Sequence, residues 1–349
     1  MGLELLRVIA IILHILQLKN IKFNHLLLLL HIIIYNYMCI VMPRNIIKIS
    51  GLLIIILIIM TFMSCKENMI TIGENELSFG STNISYIPKT IWTYWNGDIT
   101  DIVSSCINSW RHYNPDYEII VLDKSMISQY LDIDLTQLKR ANDSDARFSD
   151  FVRLNILSKY GGIWMDASSI CHNSLNWLHS IQSQTNVDMI GYYLDEFTQD
   201  DFLYYSPVIE SWFFACVPNS PFVIDWCREF MRMNDFENVN DYISNVIDNG
   251  VSLQKITGPE YLAIHVSAQY VLQRNKDKYD LVLFSAIDGP FKYLRDGEWY
   301  YDRSVNLLTD EGTNTNYFNV PFIKMRSHER KIMETTDKKK NAFSNEFIQ

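Results

Sequence analysis

Two adjacent glycines separate a helix pattern from a strand pattern in the run A-R-F-S-D-F-V-R-L-N-I-L-S-K-Y-G-G-I-W-M-D-A-S-S, Ala146 to Ser169, and leave the chain few ways through it. Upstream, Phe148, Phe151, Val152, Leu154, Ile156 and Leu157 surround a proline-free segment, the pattern of a helix buried on most sides. Arg147, Asp150 and Arg153 are three apart and share one face of it. Gly161 stands where a left-handed helix C-cap favours glycine, and Gly162 permits immediate reversal into Ile163-Trp164-Met165. That short apolar strand ends in Asp166. In open α/β sheets, ligands bind just beyond the carboxyl ends of the strands, so Asp166 is presented to a ligand. Plainer roles compete: Asp166 as a turn cap, and Asp150 with Arg153 as an ion pair on a solvated helix face.

The remaining pattern fits one large α/β domain. Ile87 to Trp95 reads as a first strand, Ile102 to Tyr113 as a helix stopped by Asn114-Pro115-Asp116, and Tyr117 to Leu122 as a second strand. Strand, helix and strand in this order make one right-handed unit of a parallel sheet. Val187 to Tyr193, Val208 to Val217, Asp280 to Phe284 and Pro321 to Arg326 read as further strands, and Pro221 to Met233 and Thr257 to Arg274 as helices. Neither early connection carries G-x-G-x-x-G or G-x-x-x-x-G-K-S/T, which disfavours a dinucleotide oxidoreductase and a P-loop ATPase. The six cysteines include no C-x-x-C pair and no zinc-ligand spacing, so buried free thiols are expected.

Charge divides the chain. Residues 1–65 carry Arg7, Lys19, Lys22, Arg44 and Lys48 against Glu4 alone, a net of +4, which leaves −14 of the total −10 on the rest. A domain so acidic is a poor partner for nucleic acid. Within the basic part, Arg44 and Lys48 precede the apolar run Ile49 to Met63, and Ser64-Cys65-Lys66 follows, the layout of a signal peptide or signal anchor over 46–65. Met42 is then the expected start, with residues 1–41 an upstream extension. A polar linker (66–85), a main domain (86–332) and a lysine-rich tail (333–349) complete the expected organisation.

The residues from Asp150 to Ser168 resemble the sugar-transfer signature of capsular polysaccharide synthesis proteins, relatives of the mannosyltransferase and clostridial-toxin glucosyltransferase group. The pattern of that group is small-S-D-x-x-R, then G-G-x-x-x-D-x-D; here Ser168 stands at the second aspartate, as in the capsular branch. The opening I-P-K-T-I-W, Ile87 to Trp92, and the run Glu210 to Ala215 extend the resemblance. It implies a GT-A-type nucleotide-diphospho-sugar transferase fold with a mostly parallel central sheet. It further implies that Asp150 and Arg153 contact the transferred sugar, and that Asp166 with Ser168 holds a divalent metal, manganese or magnesium, and the donor diphosphate. Trp92 would stack on the donor's base, although a large aromatic in a first strand equally packs a sheet.

The expected activity is therefore transfer of a sugar, with retention, from a nucleotide-sugar donor to a glycan acceptor in capsule or cell-surface polysaccharide synthesis, by an enzyme tethered at the membrane by a single N-terminal anchor. The rivals are a toxin-like protein glycosyltransferase and a catalytically silent, surface-anchored carbohydrate-binding protein. His265, among Leu262, Ile264 and Val266, reads as a core histidine, and His328 as part of an exposed charged run. Trp212, Trp299, Tyr300 and Tyr301 are candidates to stack on acceptor rings or to fill the core.

Overall fold

The computed structural model describes residues 86–275, 278–309 and 320–336. The expected anchor (46–65), the start at Met42, the linker (66–85) and the tail beyond residue 336 lie outside the described residues. Among those described, no helix is long and apolar enough to cross a membrane.

Eight strands are used below: β1 (Thr90–Tyr94), β2 (Glu118–Leu122), β3 (Gly162–Met165), β4 (Ser169–Cys171), β5 (Met189–Tyr193), β6 (Ile209–Cys216), β7 (Leu281–Ser285) and β8 (Phe322–Lys324). Six form a central sheet in the order β2-β1-β3-β6-β5-β7. Its pairs are parallel except where β6 runs antiparallel to both β3 and β5. The mostly parallel α/β sheet is thus as expected. The helix α1 (Asp101–Tyr113) links β1 to β2; Thr100 caps it by accepting from the Val103 amide.

Residues alternate across the sheet with the period of two that a pleated strand imposes. Ile91, Ile163, Met165, Phe213 and Ala215 enter one apolar cluster, with Ile102, Val103 and Trp110 of α1. Trp92, Trp164, Phe214 and Cys216 enter the other, with the helices α2 (Asp145–Tyr160), α3 (Pro221–Met231) and α4 (Ala263–Arg274). Both faces are therefore covered, as a parallel sheet requires. The four described cysteines, Cys106, Cys171, Cys216 and Cys227, are free and buried.

The long helix α2 starts where Ser144 accepts from the Arg147 amide, and its apolar side chains from Phe148 to Leu157 are almost wholly buried. At its end Gly161 has φ 62° and ψ −157°, positive in φ as expected, but extended in ψ and so outside the left-handed helical well. Gly162 follows at φ 95°. Together they turn the chain from helix to strand without an intervening loop.

The sequence pattern gave no sign of β4. It lies immediately after the Asp166 turn and pairs antiparallel with β8, Ser169 facing Lys324 in register. This small second sheet pins the last described segment beside the end of β3. The helix α5 (Ser327–Thr335) then carries the fold three residues past the expected boundary at 332.

Candidate active site

The end of β3 sets Asp166 between two cations. Its backbone amide donates to Trp212 O at 2.9 Å, fixing the residue against β6. Oδ1 accepts from Trp164 Nε1 at 3.0 Å and lies 3.3 Å from Arg153 Nη2, while Oδ2 lies 3.3 Å from Lys324 Nζ. Burial acts against the charged carboxylate, but Arg153 and Lys324, with the hydrogen bonds from Trp164 and Lys324, outweigh it and hold Asp166 below the usual carboxylate range.

Arg153 joins the two halves of the signature. Nη1 donates to Ser211 Oγ of β6 at 2.7 Å, Nη2 lies 3.4 Å from Asp150 Oδ1, and the guanidinium sits 5.1 Å from the Trp164 ring. Arg147, Asp150 and Arg153 share a face of α2 as expected, but that face is buried, with residue exposures of 6–8%. The solvated ion-pair reading is excluded by this burial. For Asp150, burial pushes the carboxyl above its ordinary range, and Arg153, Arg147 and His265 offset the push only in part.

These groups open on a cleft of about 1050 Å³, slightly beyond the roughly 300–1,000 Å³ common for small-molecule sites. Its walls come from the carboxyl ends of β1 and β3, from β6, α2, α4 and the β8–α5 segment. A smaller cavity of about 270 Å³, between Tyr193, Tyr205 and Tyr279, has no charged side chain in its lining. The chemistry therefore belongs to the larger one.

The aromatic candidates divide. Trp212, Trp299 and Tyr301 line the cleft, whereas Tyr300 does not. His328 lies in the lining, stacked on Tyr301 with 4.4 Å between ring centroids. His265 is buried, as expected of a core histidine, yet it too reaches the cleft wall, its Nε2 3.2 Å from Glu210 Oε2. Glu210 was not singled out from the sequence. The available signal was a carboxylate inside the largely apolar strand pattern I-E-S-W-F-F-A-C, where an unpaired charge is rarely kept.

Trp92 does not join the site. It is 5% exposed, packs against Tyr130 and Tyr160, and donates from Nε1 to Gly161 O at 3.1 Å. The expectation of a base-stacking Trp92 is corrected to a clamp on the glycine turn; Tyr94, at the end of the same strand, and Trp95, just beyond it, reach the cleft instead. Trp92→Phe should accordingly lose about 0.5–1.5 kcal/mol of stability for the hydrogen bond alone, with nucleotide affinity unchanged. Weakened nucleotide binding at an unaltered melting temperature would restore Trp92 to the donor site.

The expected metal pair, Asp166 with Ser168, also needs correction. Ser168 Oγ donates to Met325 O at 2.9 Å and accepts from Lys324 Nζ at 2.8 Å. The hydroxyl and both Asp166 oxygens are thus already committed, two of these three atoms to the same ammonium. Among the described residues, no group of three or more His, Cys, Asp or Glu side chains could hold a metal ion. This donor set does not fit manganese or magnesium, hard cations that require free oxygen ligands.

A family model described as capsular polysaccharide synthesis protein matches residues 67–245, which bears out the expected kinship. The O-glycosyltransferase braB of Annulohypoxylon truncatum is 24% identical over 168 residues, 42% of this chain and 38% of that relative. The chain therefore spans well under half the length of this curated relative. Among solved structures, the PaToxG glycosyltransferase aligns with TM-score 0.33 and 16% identity over 75% of this chain and 86% of its own. The galactosyltransferase LgtC, solved with donor and acceptor sugar analogs, aligns with TM-score 0.38 and 10% identity over 74% and 96%.

Proposed function

Because the chain belongs to the capsular polysaccharide synthesis protein family, we propose that it is a glycosyltransferase of GT-A type, moving a sugar from a nucleoside-diphosphate donor onto a glycan hydroxyl of a capsule or cell-surface polysaccharide, with retention. One observation carries the reading: Asp150, Arg153 and Asp166, linked at 3.3–3.4 Å, line one cleft of about 1050 Å³ together with Glu210 and His265. Charged side chains gathered on one cleft suit a polar, hydroxyl-rich ligand such as a sugar.

In this mechanism Asp150 accepts hydrogen bonds from sugar hydroxyls, and Arg153 holds Asp150, Asp166 and Ser211 in one arrangement. The bond between the anomeric carbon and the diphosphate breaks with its electron pair leaving on phosphate. The acceptor oxygen bonds that carbon and gives its proton to the departing phosphate. Trp212, Trp299 and Tyr301, which line the cleft, supply aromatic surface against which a sugar ring can pack. Ile49 to Met63, outside the described residues, tethers the enzyme to a membrane on this reading.

The test is release of nucleotide from UDP- and GDP-sugars by the full chain, compared with Asp150→Asn. Losing charge-assisted contacts worth about 1.5–3 kcal/mol lowers turnover roughly tenfold to hundredfold. Stability should move the other way. A carboxyl raised by burial contributes stability that is complete below its unfolded pKa and is lost as pH rises through its folded value. At neutral pH the charged Asp150 is therefore a liability, and asparagine should leave the melting temperature unchanged or higher. Normal turnover in the variant, or a rate loss that merely follows unfolding, would refute the assigned role.

A further inference from the structure

We propose that Lys324 is a catalytic residue whose ammonium group occupies the position of a divalent cation beside Asp166 and meets the donor's diphosphate there; this rests on the transferase reading. The β4–β8 pairing places Lys324 opposite Ser169, directly after the Asp166 turn. Its Nζ lies 2.8 Å from Ser168 Oγ, 2.8 Å from Met325 O and 3.3 Å from Asp166 Oδ2. Two of its three hydrogens are held at short distance, and the long third contact is the one available for exchange with an incoming anion.

A single carboxylate would not by itself rule out magnesium, which completes its shell with phosphate and water. The obstacle is the amine. A dication bound to Asp166 Oδ2 and Ser168 Oγ would sit against Nζ, and like charges at that separation in a partly buried site repel strongly. Lysine is suited to the substitute role: a compact point charge with three donors, used as such at phosphates elsewhere. The same segment brings Arg326, set over the Trp299 and Tyr301 rings, and Arg330 to the cleft lining. The diphosphate would thus meet cations supplied by β8 and α5.

The experiment measures binding of UDP and GDP to the full chain by calorimetry, with and without excess EDTA, beside manganese binding by electron paramagnetic resonance and donor hydrolysis. Expected are chelator-resistant diphosphate binding, no manganese site sensitive to Asp166→Asn, and a roughly tenfold to hundredfold weaker diphosphate affinity in Lys324→Met, the loss of one charge-assisted contact. Lys324→Arg, which keeps the charge, should recover part of it. A lysine that only staples β8 to the turn would lower the melting temperature of Lys324→Met and leave diphosphate affinity intact, overturning the proposal. Binding or turnover abolished by EDTA and restored by manganese overturns it on wild-type protein alone, whether or not the variants fold, and leaves the transferase reading standing. Chelator-resistant diphosphate binding without hydrolysis of any donor keeps Lys324 as an anion ligand and removes the transferase. Binding of neither diphosphate takes down both.

Discussion

Arg153→Met should be the most damaging single change at the site, costing about 3–5 kcal/mol, the usual loss when one partner of a buried ion pair is removed. The arginine stands 3.3–3.4 Å from two carboxylates whose side chains are 12% and 26% exposed; without it Asp166 keeps the Lys324 ammonium at 3.3 Å, while Asp150 has no other ion pair among the described residues. The cost should depend on pH with a fixed sign. Asp166, held low in the folded state, contributes stability above its unfolded pKa that is lost as pH falls through its folded value. Asp150, pushed high, does the reverse, and the push grows once Arg153 is gone. Both effects make the deficit full at neutral pH and smaller as pH falls into the carboxylate range. Urea melts of wild type and variant at neutral and acidic pH measure it; an equal deficit at both would show that the loss is one of packing. Adding Asp150→Asn should recover part of the neutral-pH loss, while donor hydrolysis stays abolished.

Gly161→Ala should be nearly as severe without touching a charged group. An ideal Cβ at Gly161 would lie 2.5 Å from Pro218 N, 2.7 Å from Val217 C and 2.8 Å from Cys216 O, all backbone atoms at the end of β6. The combination of φ 62° and ψ −157° is itself a glycine region, costing an alanine about 1–3 kcal/mol. Forcing the strand end aside adds about 1–3 kcal/mol more. Against a typical total stability of about 5–15 kcal/mol, the soluble fraction should fall sharply, and whatever folds should be inactive because Asp166 is only five residues downstream. A variant that melts like wild type would mean that the end of β6 yields to the methyl group. Gly162 is confined in the same way by Thr90 O, 2.7 Å from its ideal Cβ.

These two positions also show what a sequence can reveal. The turn, the buried helix before it and the placement of Asp150, Arg153 and Asp166 all follow from local spacing, because residues a few positions apart on helix and strand have fixed relative directions. The positions along the chain of the six central strands were legible for the same reason. Trp92 was not: Tyr94, two places on along β1 and on the same face, reaches the strand's mouth, whereas Trp92 is covered by Tyr130 and Tyr160, which come from distant parts of the chain. Ser168 was assigned to a metal because its true partner, Lys324, is 156 positions away, and nothing local announces that β4 and β8 pair. Glu210 and His265 met across 55 positions for the same reason. The local half of the site was written in the pattern; the half made by long-range strand pairing and helix packing was not.

That distance along the chain is also a delay in time. A ribosome adding about 5–20 residues per second makes Lys324 roughly 8–30 s after Ser168. Throughout that interval Asp166, Arg153 and Asp150 have been synthesised, yet β8 has not, and the second oxygen of Asp166 lacks its ammonium partner. A nascent chain in that interval holds Asp150, Arg153 and Asp166 without the ammonium group proposed to meet the leaving group. On the role proposed for Lys324, competence therefore waits for β8 and its pairing with β4.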